Sequence, residues 1–147
     1  MTKKILIVED NHDCCELLAF LVRRLGYDAI PVHTGEEAIA RAITTHPDLI
    51  FMDLGLPGID GIEAAAAIRQ HPDTAGIPIV ALSARSQETW EKKALDAGMA
   101  MYLSKPAPPA AIKETIEKFI NQDSAASLDR CSATMPINAS QMTVAVI

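Results

Sequence analysis

Five short apolar runs alternate with five helix-patterned stretches: KILIV (4–8), YDAIPV (27–32), DLIFM (48–52), IPIVALS (77–83) and AMYLS (100–104). The first run is continuous, as expected of a strand covered on both faces. Pro31 places the second at a sheet edge, because proline cannot donate to a ladder. Between them, residues 11–26 carry Leu17, Leu18, Leu21, Val22 and Leu25 at helical spacing, with Gly26 as a stop. Thr34 opens the next helix, with Glu37 three residues on in a capping-box pattern. Residues 60–71 are Ala-rich and helix-prone, and 87–98 form a fourth helix closed by Gly98. Residues 108–120 place Ile112, Ile116, Phe119 and Ile120 on one face behind an opening pair of prolines. Strict alternation of this kind predicts an α/β fold, a doubly wound parallel sheet with helices on both faces.

Such a sheet carries its sites at the carboxyl ends of strands, where the winding reverses. The rule turns sequence positions into a place. Glu9 and Asp10 close the first strand, Asp53 the third, Ser83 the fourth and Lys105 the fifth. All five should converge on one rim. Three carboxylates brought together repel one another unless a cation or shared protons intervene. Hard oxygen ligands suit Mg²⁺, a lysine ammonium binds phosphate as a point charge, and a serine hydroxyl donates to an anionic oxygen. Together they form a set for handling phosphoryl groups, in which an aspartate can serve as nucleophile.

The remaining composition narrows the classes. The chain has 147 residues, 49% hydrophobic and 22% charged, which fits one globular domain. A net charge of -6 and a pI near 5.1 argue against a nucleic-acid surface. No apolar run reaches a membrane-spanning length or a signal-peptide core, so a cytoplasmic location without membrane insertion is expected. Cys14 and Cys15 are sequence neighbours and Cys131 is remote, which suggests reduced packing residues. His12, His33, His46 and His71 read as separate, solvated side chains. From residue 122 the helical period is lost, so 1–121 is expected to be the folded domain and 122–147 a disordered, low-complexity tail. Its MTVAVI end is β-prone and could add to a sheet edge or self-associate.

Four pieces in order, LIVEDN, IFMDLGLPGIDG, IPIVALSA and YLSKP, resemble the receiver domain of two-component response regulators across residues 1–121. The resemblance implies a flavodoxin-like sheet of five parallel strands in the order 2-1-3-4-5. It implies that Asp53 is the phosphoryl acceptor, taking its group from a histidine kinase or histidine phosphotransfer protein. Asp10 and Asp53 would hold Mg²⁺ directly (Mn²⁺ as a substitute), with Glu9 mainly through water and the Gly55 carbonyl as a backbone ligand. Ser83 and Lys105 would contact the phosphate, and the Lys105–Pro106 bond resembles a conserved cis peptide of the family. Tyr102 matches the aromatic residue that follows the state of Ser83. Gly55 and Arg85 stand where phosphate lifetime is tuned. Pro57, Gly58 and Gly61 would shape the loop beyond Asp53. The expected output is a protein-binding face made by the fourth helix, fifth strand and fifth helix, with Trp90 on it as the sole indole. Such a receiver catalyses only its own phosphorylation and dephosphorylation. Two other readings share the fold. A small aspartyl-phosphate phosphatase would need an acid two residues after Asp53, where Gly55 stands. A flavodoxin-like cofactor binder would need a phosphate loop where EDNHDC is acidic.

Overall fold

In the computed structural model, residues 2–84, 87–105 and 107–120 are described. Five strands, β1 (Lys4–Val8), β2 (Asp28–Val32), β3 (Leu49–Asp53), β4 (Ile79–Ser83) and β5 (Met101–Ser104), pair in parallel in the order β2-β1-β3-β4-β5. Five helices separate and follow them: α1 (His12–Arg24), α2 (Gly35–Thr45), α3 (Gly61–Gln70), α4 (Gln87–Asp96) and α5 (Pro109–Ile120). This is the flavodoxin-like arrangement expected. The chain runs outward from β1 to the β2 edge, then returns to the other side of β1 with β3. The winding therefore reverses between β1 and β3, and the crevice at their carboxyl ends is the place for a site.

Strand side chains alternate between two apolar layers, which explains why the runs are continuous. Leu6, Val8, Ile50, Met52, Ile79, Ala81 and Tyr102 share a cluster with Ala38, Ala42, Ala64, Ala65, Ile68 and Ala94 from α2, α3 and α4. Ile5, Ile7, Leu49, Phe51, Val80, Leu82, Met101 and Leu103 face Cys15, Ala19 and Val22 of α1 and Ile112, Ile116 and Ile120 of α5. Small alanines on the first side let the helix backbones lie close to the sheet, so few aromatics are needed.

Several local expectations shift. β3 begins one residue later than expected, at Leu49; just before it, the Asp48 N–H donates to the Lys4 carbonyl at 2.8 Å and the Asp48 carboxylate accepts the Lys4 N–H at 2.9 Å. Leu17 does not join the α1 core stripe and is 69% exposed. The buried stripe is Cys15, Ala19 and Val22; Leu17 lies about 200° around the helix from Cys15. The box expected at Thr34 is only half formed. Thr34 Oγ1 accepts the Glu37 N–H at 3.1 Å, but the Glu37 carboxylate accepts from His33 N–H instead. A complete box caps α3: Asp60 accepts the Glu63 N–H at 2.9 Å and Glu63 accepts the Asp60 N–H at 3.1 Å. β2 is an edge strand, as Pro31 required.

Candidate functional site

The first strand delivers Glu9 and Asp10 to the crevice and the third delivers Asp53. One carboxylate oxygen from each lies within 4.8 Å of the others. Glu9 and Asp53 are buried, at 4% and 7% exposure, while Asp10 is exposed. Burial of carboxylates without compensation is costly, and each of these two has partners. Glu9 accepts from the Asn11 N–H at 3.2 Å and pairs with the Lys105 ammonium. Asp53 accepts from the Gly55 N–H at 3.1 Å, and its other oxygen stands 3.5 Å from Lys105 Nζ. Lys105 is aimed by the sheet: its backbone N–H donates to the Ser83 carbonyl at 2.8 Å, just past the β4–β5 ladder.

Electrostatics follows from this crowding. Burial pushes the Glu9 carboxyl up; the Lys105 hydrogen bond pulls it back, while Asp53 pushes it further up. Burial by itself lowers the Lys105 ammonium, but the bond to Glu9 and the charges of Asp53 and Glu9 outweigh it, so the net shift is upward. Three carboxylates share one ammonium, which pairs with Glu9 and Asp53 only, so the crevice is short of positive charge. Hard oxygen donors at this spacing fit a small divalent cation such as Mg²⁺.

The loop after Asp53 must pass very close to β3. A Cβ at Gly61 would stand 2.3 Å from the Asp53 carbonyl oxygen and 2.9 Å from Leu54 Cα, so only glycine fits there. Gly58 adopts φ +74°, the left-handed region. The expectation that glycines shape this loop is thereby given a physical cause.

Ser83 ends β4 at 1% exposure, two strands from Glu9 in the sheet. Tyr102 is 2% exposed and lies on the α2–α3–α4 side of the sheet with Ala94 and Met99, the side opposite α5. Arg85, Pro106 and residues 122–147, with Cys131 and the MTVAVI segment, lie outside the described residues. Cys14 is exposed and so does not pack in the core; Cys15 does. The histidines are not all separate: His12 and His33 stack with ring centroids 3.9 Å apart and planes at 10°. Their 21-residue separation in sequence carries no signal for this contact.

The sequence profile described as "Response regulator receiver domain" matches residues 5–117. The chain belongs to this family. It is 34% identical over 120 residues to the polar-differentiation response regulator DivK of Brucella ovis, covering 82% of this chain and 98% of DivK. It is 35% identical over 127 residues to the alkaline phosphatase synthesis transcriptional regulatory protein PhoP of Bacillus subtilis, covering 86% of this chain. There the chain spans 52% of the relative's length, about half. Among solved structures, the receiver domain of a Pseudomonas aeruginosa sensor histidine kinase superposes with a TM-score of 0.77 at 33% identity, covering 82% of this chain and 99% of that one. That structure has a magnesium ion coordinated in its active site cleft. A putative response regulator from Chloroflexus aurantiacus gives 0.78 at 31% identity, with 82% and 99% covered. Receivers of response regulators are signalling modules phosphorylated by histidine kinases or phosphotransfer proteins. Among the described residues, no helix is long and apolar enough to cross a membrane.

Proposed function

We propose that this receiver is a phosphorylation switch whose acceptor is Asp53. A carboxylate oxygen of Asp53 attacks the phosphorus of a phosphohistidine on a kinase or phosphotransfer protein. The P–N bond breaks, its electron pair returns to the imidazole nitrogen, and an acyl phosphate forms. The observation that carries this reading is the meeting of Glu9, Asp10 and Asp53 within 4.8 Å, with the Lys105 ammonium on two of them.

Asp10 and Asp53 would ligate Mg²⁺, with Glu9 mainly through water and the Gly55 carbonyl completing the protein donors; Mn²⁺ would substitute. The bound cation supplies charge neutralisation on the phosphoryl oxygens. The protein's own residues do the rest. The Gly55 N–H holds one Asp53 oxygen and thereby orients the nucleophile. Lys105, already 3.5 Å from Asp53, pairs with a phosphoryl oxygen as the new dianion forms. Ser83 turns its hydroxyl to another phosphoryl oxygen, and Tyr102 follows, altering the surface of α4, β5 and α5 that a protein partner reads. By the family pattern, Gly55 and Arg85 would tune the lifetime of the phosphate, and the Lys105–Pro106 bond would be the family's cis peptide. Residues 1–121 form the receiver and 122–147 a separate tail, working in the cytoplasm, with no catalysis beyond the domain's own phosphorylation and dephosphorylation.

α1 starts beside the acids and presents Leu17 and Phe20 to solvent, at 69% and 58% exposure. An approaching phosphohistidine donor can bury this apolar surface as it reaches Asp53.

Incubation with Mg²⁺ and acetyl phosphate, or with beryllofluoride, tests the assignment. Wild type should be labelled and shift its Trp90 emission, whereas Asp53→Asn should do neither. Equal labelling of the two proteins would remove Asp53 from the role.

A further inference from the structure

The backbone of Glu9 is held on both sides by two consecutive residues of another segment. Its N–H donates to the Val32 carbonyl at 3.1 Å. Its carbonyl oxygen lies 3.1 Å from His33 Nδ1. A carbonyl only accepts, so His33 donates, and the neutral ring with its proton on Nδ1 suffices. The His33 ring is fixed in turn. It lies flat on His12 in the first turn of α1, with centroids 3.9 Å apart. Its own backbone N–H donates to the Glu37 carboxylate at 3.1 Å. His33 therefore ties three pieces together: the end of β2, the turn after β1 and the start of α1.

That turn is where the chain leaves the ladder and presents Glu9 and Asp10 to the crevice. The peptide between these two acids contains the carbonyl that His33 holds. Without this bond the peptide could rotate, and both carboxylates would swing with it. We infer that His33 is a positioning residue of the acid cluster: its Nδ1–H locks the Glu9–Asp10 peptide so that the two acids face Asp53 before any cation arrives. The inference rests on the reading of Glu9, Asp10 and Asp53 as a divalent-cation site. His33 itself touches neither the cation nor the phosphoryl group, and His12 acts only by holding the ring.

The full chain tests this in two arms, with His33→Ala, His33→Asn and His12→Ala. Asparagine keeps a side-chain N–H at nearly the reach of Nδ1. In the first arm, calorimetric titration with Mg²⁺ should show His33→Ala weakened about three- to tenfold, the loss expected of one oriented outer hydrogen bond. His33→Asn should recover to within about twofold, and His12→Ala should fall between them. In the second arm, amide exchange in EDTA should speed up at the Glu9 and Asn11 N–H groups in His33→Ala and not in His33→Asn. Wild-type values for His33→Ala in both arms would overturn the inference, and so would an asparagine variant no better than the alanine. If wild type binds no Mg²⁺ at millimolar concentration, the cation-site reading fails instead, and the exchange arm still decides whether His33 holds the turn.

Discussion

Replacing Gly61 with alanine should damage both the stability and the chemistry of this receiver, because one added carbon meets backbone on the strand that carries Asp53. The new Cβ would stand 2.3 Å from the Asp53 carbonyl oxygen, 2.9 Å from Leu54 Cα and 3.0 Å from the Asp53 carbonyl carbon. Carbon and oxygen separate to roughly 3.2 Å or more in unstrained packing, so about 1 Å must be found. No flexible side chain can yield it. Either the end of β3 bends or the first turn of α3 backs away, and the Asp60–Glu63 capping box moves with it. Overpacking of this kind costs about 1–3 kcal/mol, and two backbone partners put Gly61→Ala at the upper end, about 3 kcal/mol. With a urea m-value of roughly 2 kcal/mol/M for a domain of this size, the unfolding midpoint should fall by about 1.5 M. Gly76→Ala is the control, since nothing lies within 4 Å of its Cβ. It should be neutral or gain about 0.4–1 kcal/mol through the unfolded chain. Urea unfolding followed by circular dichroism gives the first number, and labelling by acetyl phosphate gives the second. A Gly61→Ala protein within about 0.5 kcal/mol of wild type and labelled at the same rate would refute the close-approach argument.

Three further outcomes are expected. Burial, reinforced by the nearby Glu9 charge, pushes the Cys15 thiol up to about 11 from 9.0. The folded state therefore favours the protonated thiol, so its contribution is whole below about pH 9 and is lost as pH rises towards about 11, a swing of about 2–3 kcal/mol. Urea unfolding at pH 8 and pH 10.5 should show this slope in wild type and a flatter one in Cys15→Ala, while iodoacetamide at pH 8 should modify Cys14 and spare Cys15 in peptide maps. Lys105→Met removes the ammonium from Glu9 and Asp53, and the metal-free protein should lose about 1–3 kcal/mol, discounted because Lys105 is 25% exposed. Saturating Mg²⁺ should narrow that deficit in thermal melts, whereas an unchanged gap would mean that Lys105 and the cation do not serve the same charges. Phe51→Ala, at a fully buried position between the sheet and the α1–α5 layer, should cost about 3–5 kcal/mol by calorimetry, and a loss under 1 kcal/mol would show that the layer collapses around the gap.

Much of this molecule could be read along the chain. Continuous apolar runs between helical periods allow few structures other than a covered parallel sheet, and Pro31 could sit only at an edge. The meeting of Glu9, Asp10, Asp53 and Lys105 was legible because each stands at or just past the carboxyl end of its strand, and parallel strands put those ends on one rim. Errors came where the rotation of a helix or the path of a turn decides. The periodicity of α1 admitted Leu17 to the apolar face, yet the sheet accepts the smaller Cys15 and Ala19 at the close contact and leaves Leu17 outside. The pattern put the Glu37 carboxylate on the Thr34 N–H, but it accepts that of His33.

The chain by itself determined the order of elements and the set of ionisable groups at the strand ends, since both depend on propensities acting over a few neighbouring residues. Tertiary structure alone decided which groups touch. Lys105 meets Glu9 across 96 positions and His33 meets Glu9 across 24. The Gly61–Asp53 approach likewise depends on how closely α3 settles against β3. Such contacts depend on helix rotation, loop path and packing distance to within about an ångström, because interiors are close-packed and admit only one arrangement at a time. No pattern within a single segment encodes them.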